Sequence, residues 1–206
     1  MSLGQRFARL VTNVVVRQPR LWRLFRGPFR RQFEELAPTW ETRQRDDTLE
    51  PFARALGTLD VPSRRVLDVG TGTGAAAFLL ARRWTDADVV GVDLAAAMVA
   101  EAARLTPPEV AARVRFEVAD AAELPFDDGA FDLVTHANML PFFDEIARVV
   151  APGGAVIFAF SGGAGTPIYV PPDRLRRELE RRGFSGFAEL AAARGTAFVA
   201  RKPASD

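Results

Sequence analysis

The stretch Val66-Leu67-Asp68-Val69-Gly70-Thr71-Gly72-Thr73-Gly74 decides the fold of this chain. An apolar run typical of a buried strand leads directly into a glycine cluster, and the alanine-rich segment 75–84 that follows is typical of a helix. Glycine tolerates positive φ and lets a ligand approach the bare backbone. The N–H groups at the start of a helix favour a negatively charged or electron-rich ligand group. The stretch therefore predicts a strand, a ligand-binding loop and a helix in succession.

Strand and helix patterns alternate along the rest of the chain. The predicted strands are 65–69, 88–93, 114–118, 131–135, 155–160, about 184–191 and 196–201, and the predicted helices are 75–84, 95–105, 141–150 and 174–182, the last with Asp173 as its N-cap. Such alternation indicates a parallel sheet with helices on both faces. No helix separates the last two strands, so at least one of them must run antiparallel. We predict an α/β, Rossmann-like, seven-stranded and mostly parallel sheet with an antiparallel last strand.

Additional helices are predicted ahead of this alternation. Apolar residues at helical spacing indicate one helix before Pro19 and a second from Trp22 to Leu36, and a third segment runs from about Trp40 to Gly57. We therefore divide the chain into an N-terminal helical extension, residues 1–60, and a sheet domain, residues 61–206.

Composition excludes several classes of protein. The 206 residues fit one domain with a short extension. The chain has no cysteine and a single histidine, His136, so disulfides and Cys- or His-rich metal centres are excluded and no metal is predicted. The net charge of +1 is much smaller than the basic excess usual in a domain that binds a nucleic-acid duplex. No apolar run approaches the ~20 residues that span a bilayer, and no signal peptide is evident, so a cytoplasmic location is expected.

The glycine cluster alone leaves two ligand classes open. Gly70, Gly72 and Ala75 also satisfy the relaxed dinucleotide fingerprint G-x-G-x-x-A, which would indicate a nicotinamide-dependent dehydrogenase. Asp68 opposes that interpretation, because a carboxylate repels a pyrophosphate but attracts the cationic amino-acid end of S-adenosylmethionine.

An ordered set of motifs over about residues 37–201 resembles the class I S-adenosylmethionine-dependent methyltransferases, and among them the small-molecule "type 11" enzymes. Residues 68–74 resemble motif I of that family, and residues 89–94 resemble its second-strand motif, whose terminal acid binds ribose hydroxyls. Residues 119–121, followed by Leu124-Pro125-Phe126, resemble the adenine-contacting motif. Residues 131–134 and 146–154 resemble the fourth strand and the helix-turn before the fifth.

This resemblance implies S-adenosylmethionine as cofactor, S-adenosylhomocysteine as product and a small molecule, not nucleic acid, as substrate. The implied cofactor-binding residues are Asp68, Gly70, Thr71, Gly72, Gly74, Asp93, Leu94, Met98, Asp120 and Ala121. A non-catalytic or repurposed user of the same fold remains an alternative, because a fold does not by itself establish a reaction.

Several of these residues also have a purely structural interpretation. Asp93 ends a strand, where its carboxylate can accept two ribose hydroxyls, but it can also cap the helix that follows. Asp68 and Asp120 can be simple turn or loop acids. Leu94 and Met98 can flank an adenine, although an apolar residue at helical spacing, such as Met98, is usually core.

The substrate side of the site is less clearly marked. His136 follows the fourth predicted strand and is the candidate general base, with a pocket-lining residue as the alternative. Asn138 either orients substrate or makes a turn. Trp40, the other candidate substrate-binding residue, resembles the aromatic residue that closes over the cofactor in this family, or it belongs to the core. The segment Asn138–Phe142 is not the Asn-Pro-Pro-Tyr motif of enzymes that methylate DNA or glutamine, and the aromatic residues indicate a partly apolar substrate.

The first 31 residues are unusual in charge. They hold eight arginines and no acid, and because the whole chain carries +1 the remainder is net −7. One interpretation is peripheral contact of residues 1–31 with an anionic membrane, with Trp22, Phe25 and Phe29 dipping inward. The alternatives are a solvated basic face on a docked helix pair and electrostatic steering of an acidic substrate. The sequence assigns no oligomeric state.

Overall fold

The structure is a computed structural model that describes residues 3–43, 47–59 and 63–204. The helices are α1 (Leu3–Arg17), α2 (Trp22–Leu36), α3 (Trp40–Arg43), α4 (Glu50–Leu56), α5 (Ala75–Arg83), α6 (Ala96–Leu105), α7 (Phe143–Val149) and α8 (Pro172–Glu180). The strands are β1 (Arg65–Val69), β2 (Asp88–Asp93), β3 (Val114–Val118), β4 (Phe131–Ala137), β5 (Val150–Phe160), β6 (Ser185–Ala192) and β7 (Gly195–Arg201). Among these described residues, no helix has the length and apolar character needed to cross a bilayer.

The described strands form one sheet in the order β3-β2-β1-β4-β5-β7-β6. The neighbours from β3 to β5 pair in parallel, whereas β7 runs antiparallel to both β5 and β6. The predicted fold class is therefore confirmed. Parallel pairing puts the carboxyl ends of β1 and β4 at the same edge. The strand order reverses between these two strands, and open α/β sheets bind ligands in the crevice at such a switch point.

A hydrophobic core lies on each face of the sheet. Leu67, Val134 and Phe158 point to one face, where Ile146 of α7 and Leu175 of α8 cover them. Side chains of the opposite face pack against α4 and α5 (Val66, Leu133 and Ile157 of the sheet, with Phe52 and Leu80 of the helices). Alternating strand residues thus stabilise both layers, as expected for a parallel sheet that is covered on two sides.

The first two helices pack on the same face as α7 and α8. Val11, Val15, Trp22 and Phe29 belong to its core, and the Trp22 ring meets the Phe142 ring edge-on at 5.4 Å. Trp22 and Phe29 therefore point into the protein, and the interpretation that they dip into a membrane is wrong. In contrast, α4 packs on β5, β6 and β7 across the sheet. The boundary at residue 60 stays a prediction, and Asp60 itself lies outside the described residues.

Three local predictions need correction. The segment predicted as one helix over 40–57 holds two described helices, α3 and α4. Leu49 occupies the N-cap position of α4, and Pro51 lies in its first turn, where proline is favoured. His136 lies inside β4 rather than after it, since β4 pairs with β5 as far as Ala137. Asp173 lies in the first turn of α8, whose N-cap is Pro171.

Candidate functional site

The loop between β1 and α5 crosses the carboxyl edge of the sheet at the switch point. Gly70 has φ 71° and Gly74 has φ 90°, both in the region that side chains rarely adopt. A Cβ at Gly70 would lie 2.7 Å from the Met139 side chain, and one at Gly74 would lie 2.8 Å from the Phe78 ring. Glycine is therefore required at both positions by backbone conformation and by close approach. Met139, which no motif in the sequence singled out, thus lies against the loop.

Asp68 is buried directly beneath this loop, with 1% of its surface exposed. Its Oδ1 accepts a 2.8 Å hydrogen bond from the Thr135 hydroxyl of β4. Its Oδ2, like the Thr71 hydroxyl, is buried and has no hydrogen-bond partner among the described residues. Burial raises the pKa of Asp68 to about 6, and the charge of Asp93 adds to this. The hydrogen bond from Thr135 and the nearby Thr71 hydroxyl, whose geometry falls short of a hydrogen bond, act in the opposite direction. A buried, incompletely satisfied carboxylate favours the approach of a cationic group.

Asp93, at the end of β2, links two elements of the edge through its carboxylate. Oδ2 accepts from the Gly72 N–H at 3.0 Å, and Oδ1 accepts from the Ala95 N–H at 2.9 Å. Burial is the main cause that raises the pKa of Asp93, against these backbone hydrogen bonds. Ala95 is the residue before α6, so Asp93 does not cap the helix as the structural interpretation predicted. Each carboxylate oxygen has a second lone pair, so Asp93 can still accept ligand hydroxyls.

Asp120 is held by the N-terminal extension. Trp22 Nε1 donates to Asp120 Oδ1 at 2.8 Å, the Ala122 N–H donates to the same oxygen at 3.0 Å, and the Arg26 guanidinium lies 3.7 Å from Oδ2. Ala121 is buried beside it. The structure thus places α2 over the third of the predicted cofactor-binding segments.

Other side chains of the extension contact the remaining loops. The Trp40 ring comes close to Gly72, where an added Cβ would lie 3.4 Å from Trp40 Nε1. Both carboxylate oxygens of Glu34 accept from the first N–H groups of α6, at 2.9 and 3.0 Å, and Thr73 donates to Glu41. No local sequence signal marks Trp22, Glu34 or Glu41 for these roles, because their partners are remote in the chain.

Met98 and Leu94 differ in exposure. Met98 is fully buried in a small cluster with Ala37 and Ala95, against which Trp40 packs, whereas Leu94 is half-buried. The structure therefore gives Met98 the packing of a core residue. Its predicted contact with adenine stays a prediction.

His136 is buried, with 2% of its surface exposed, and its ring stacks on Phe158 at 5.1 Å. Neither ring nitrogen has a hydrogen-bond partner among the described residues. Burial lowers the pKa of His136 to about 3, so the ring is neutral at physiological pH. A proton acceptor of that pKa is weak at pH 7.

Asn138 makes the turn after β4. It has a positive φ of 55°, which asparagine tolerates better than most residues, and its Oδ1 accepts from both the backbone N–H and the hydroxyl of Ser161. The carboxamide therefore ties the ends of β4 and β5 together. Its predicted role in orienting substrate stays a prediction.

The burial of His136 leads to a testable effect on stability. Its pKa is lower in the folded than in the unfolded chain, so the unfolded chain binds more protons between pH 3 and pH 6.5, and stability is lost as pH falls through that range. His136→Phe can keep the stacking on Phe158 and removes the titrating group. We therefore expect the free energy of unfolding of the variant, minus that of the natural chain, to be about 2 kcal/mol larger at pH 5 than at pH 7. Urea unfolding at the two pH values measures the difference. His136→Ala is the control, because a cavity destabilises by about 2–4 kcal/mol at both.

Comparison with known proteins agrees with this geometry. Residues 66–154, which contain β1, the glycine loop, Asp93 and Asp120, match a family described as "Methyltransferase domain". This match covers less than half of the chain, so these residues are similar to a methyltransferase domain. The fold of Haemonchus contortus phosphoethanolamine N-methyltransferase 2, solved in complex with S-adenosyl-L-methionine, resembles this one. That likeness has a TM-score of 0.62 at 19% identity and covers 76% of this chain and 52% of the other.

Two curated sequence relatives are methyltransferases named for small molecules. A demethylmenaquinone methyltransferase of Thermus thermophilus is 40% identical over 137 residues, 61% of this chain and 62% of the relative. A 2-methyl-6-phytyl-1,4-hydroquinone methyltransferase of Synechocystis sp. is 39% identical over 112 residues, 50% of this chain and 34% of the relative. The chain therefore spans less than two thirds of the length of these curated relatives.

Proposed function

We propose that the protein transfers a methyl group from S-adenosylmethionine to a small, partly apolar molecule. The observation that carries this proposal is the pair of carboxylates, Asp68 and Asp93, that flank the positive-φ glycine loop at the switch point of the sheet. Asp68 Oδ2 and the Thr71 hydroxyl are buried and have no hydrogen-bond partner in the described part of the chain, which fits a site that a polar, cationic ligand completes.

Each end of the cofactor has residues suited to hold it. Asp93 would accept the ribose hydroxyls, and Asp68 with the loop 70–74 would hold the cationic amino-acid end. Asp120, Ala121 and Leu94 would lie at the adenine. When bound, the cofactor supplies an electrophilic methyl group on a sulfonium. The chain's own contribution is to align the acceptor and exclude water, effects that can be worth ~7–11 kcal/mol in such displacements.

The residues around this edge support a partly apolar acceptor. Aromatic rings form a continuous series from Trp22 through Phe29 and Phe33 to Trp40, with centroid separations of 5.5, 5.1 and 5.6 Å. Phe33 and Trp40 are half-buried and can contact an apolar group at this edge, whereas Trp22 and Phe29 belong to the core. Two relatives named for a menaquinone precursor and a phytyl hydroquinone point to the same class of acceptor.

His136 stays the proposed catalytic residue on the acceptor side. In the buried, neutral form described above, it would accept or donate a hydrogen bond to the acceptor rather than carry a charge. Full turnover by His136→Phe would remove this role. We keep a cytoplasmic location as a prediction.

A labelling experiment tests the proposal. The protein is incubated with a cofactor labelled in the methyl group and with cell extract, and the label is partitioned between organic solvent, nucleic acid and protein. We expect protein-dependent label in an organic-extractable small molecule, and none with Asp93→Ala. Label in nucleic acid or protein would contradict the substrate class, and S-adenosylhomocysteine binding without any label would favour the non-catalytic alternative. Thermal stabilisation by NAD or NADP would favour a dehydrogenase.

A further inference from the structure

The outer sides of α1 and α2 carry a concentrated positive charge that the fold leaves without counter-charges. Arg6, Arg17, Arg20, Arg23, Arg30 and Arg31 are all exposed, and none of them forms an ion pair or a side-chain hydrogen bond with any described residue. The other two arginines of this region are engaged. Arg9 donates to the carbonyls of Ala164 and Thr166, and Arg26 pairs with Asp120.

Two large apolar side chains stand among these arginines. Leu10 is 56% exposed and Leu24 is 70% exposed, whereas Trp22 and Phe29 of the same segment are buried. Helical spacing places Leu10 between Arg6 and Arg17 on α1 and Leu24 on the same side of α2 as Arg31. Arg20 lies in the short turn, Pro19–Leu21, that leads into α2. An edge contact between Phe7 and Phe25, at 6.4 Å, holds the two helices together beside them.

We propose that this surface, the six free arginines with Leu10 and Leu24, docks the protein on a bilayer that contains anionic lipid. The charges of the arginines complement anionic headgroups, and the exposed leucines provide side chains that enter the boundary between headgroups and acyl chains. Both kinds of group are needed, since neither charge nor a few apolar side chains alone give stable surface binding.

A bilayer fits this surface better than a nucleic acid does. The described aromatic side chains of α1 and α2 are buried or half-buried, so they offer no exposed ring for a base to stack on. Because the chain beyond residue 31 is net −7, a long polyanion that extended past the two helices would meet repulsion. A flat anionic bilayer contacts only the helices themselves.

The same helices reach the candidate site, so docking has a functional consequence. Trp22 of α2 donates to Asp120, and Glu34 of α2 caps α6. A bilayer that contacts α1 and α2 would thus lie next to the series of aromatic rings from Trp22 to Trp40. This consequence rests on the proposed function, because it supposes that the partly apolar acceptor resides in the bilayer, whereas docking itself does not require methyl transfer.

Flotation of the full chain with vesicles tests the docking without any cofactor, so its outcome is independent of methyl transfer. Vesicles of phosphatidylcholine alone are compared with vesicles that also contain phosphatidylglycerol. We expect binding to the anionic vesicles only, weakened about tenfold or more in Arg20→Glu/Arg31→Glu and clearly reduced in Leu24→Asp. The matched controls are Arg54→Glu/Arg64→Glu, two exposed arginines elsewhere, and Val118→Asp, a side chain 55% exposed on β3. Both controls should bind within about twofold of the parent chain.

Several outcomes would overturn the proposal. These are no binding to either kind of vesicle, equal binding to both, an equal loss in the control variants, or no loss in the surface variants. Single-stranded RNA is tested at the same salt concentration, and tighter binding to RNA than to anionic vesicles would assign the surface to nucleic acid. Circular dichroism and thermal unfolding of each variant confirm that a loss of binding does not reflect a loss of fold.

Discussion

Asp93→Ala is expected to weaken binding of S-adenosylhomocysteine about 100-fold or more. The substitution removes the acceptor for ligand hydroxyls and also releases the Gly72 and Ala95 N–H groups that the carboxylate holds at 3.0 and 2.9 Å. Hydrogen bonds to a charged group contribute ~1.5–3 kcal/mol each, so loss of two accounts for the magnitude. Isothermal titration calorimetry measures the affinity.

Asp93→Asn separates the ligand contact from the structural one. The carboxamide oxygen can keep one backbone hydrogen bond but cannot accept from both N–H groups and two hydroxyls as the carboxylate can. We expect an intermediate loss of affinity with the fold retained. Unchanged affinity in Asp93→Ala, in a variant that unfolds cooperatively, would show that the ligand does not bind at this edge.

Asp68→Asn is expected to stabilise the free protein and to weaken its binding of the cofactor product. The pKa of Asp68 is about 6 in the folded chain against 3.8 ordinarily, so the folded chain binds more protons between these values and its stability falls as pH rises through that range. The loss is complete above pH 6 and amounts to about 3 kcal/mol. Asparagine carries no charge and keeps an oxygen for Thr135, so the variant does not lose this stability.

Unfolding by urea from pH 4 to pH 8 measures this difference. The free energies of unfolding of the variant and the natural chain should be similar near pH 4. They should diverge as pH rises to neutral, where the variant is more stable. Its affinity for S-adenosylhomocysteine at pH 7 should fall at least tenfold, because the charge facing the amino-acid end is lost. The natural chain should also bind more weakly below pH 6. If the free energies of unfolding of the two proteins differed by the same amount at every pH, burial would not raise the pKa of Asp68.

Local patterns in the sequence predicted the features of this fold that are local in origin. The glycine loop follows β1 because an apolar run and three glycines are adjacent in sequence, and the antiparallel β7 follows from a hairpin with no intervening helix. Asp68 and Asp93 are at the expected edge for the same reason, since each lies in or ends a predicted strand.

The remaining features depend on contacts between distant segments. The hydrogen bond from Trp22 to Asp120 joins residues 98 positions apart, and the one from the Ala96 N–H to Glu34 joins residues 62 positions apart. Neither contact therefore has a signature in the local sequence. The place of His136 inside β4 depends on pairing with β5, and its burial depends on Phe158. Met139 contacts Gly70 only because the turn at Asn138 directs the chain over the loop.

A crystal structure determined with S-adenosylhomocysteine would show where the cofactor binds. We expect the ribose hydroxyls within hydrogen-bond distance of the Asp93 carboxylate and the amino-acid end at the loop 70–74 beside Asp68. The compound bound elsewhere, or an empty switch point at saturating concentration, would contradict this expectation.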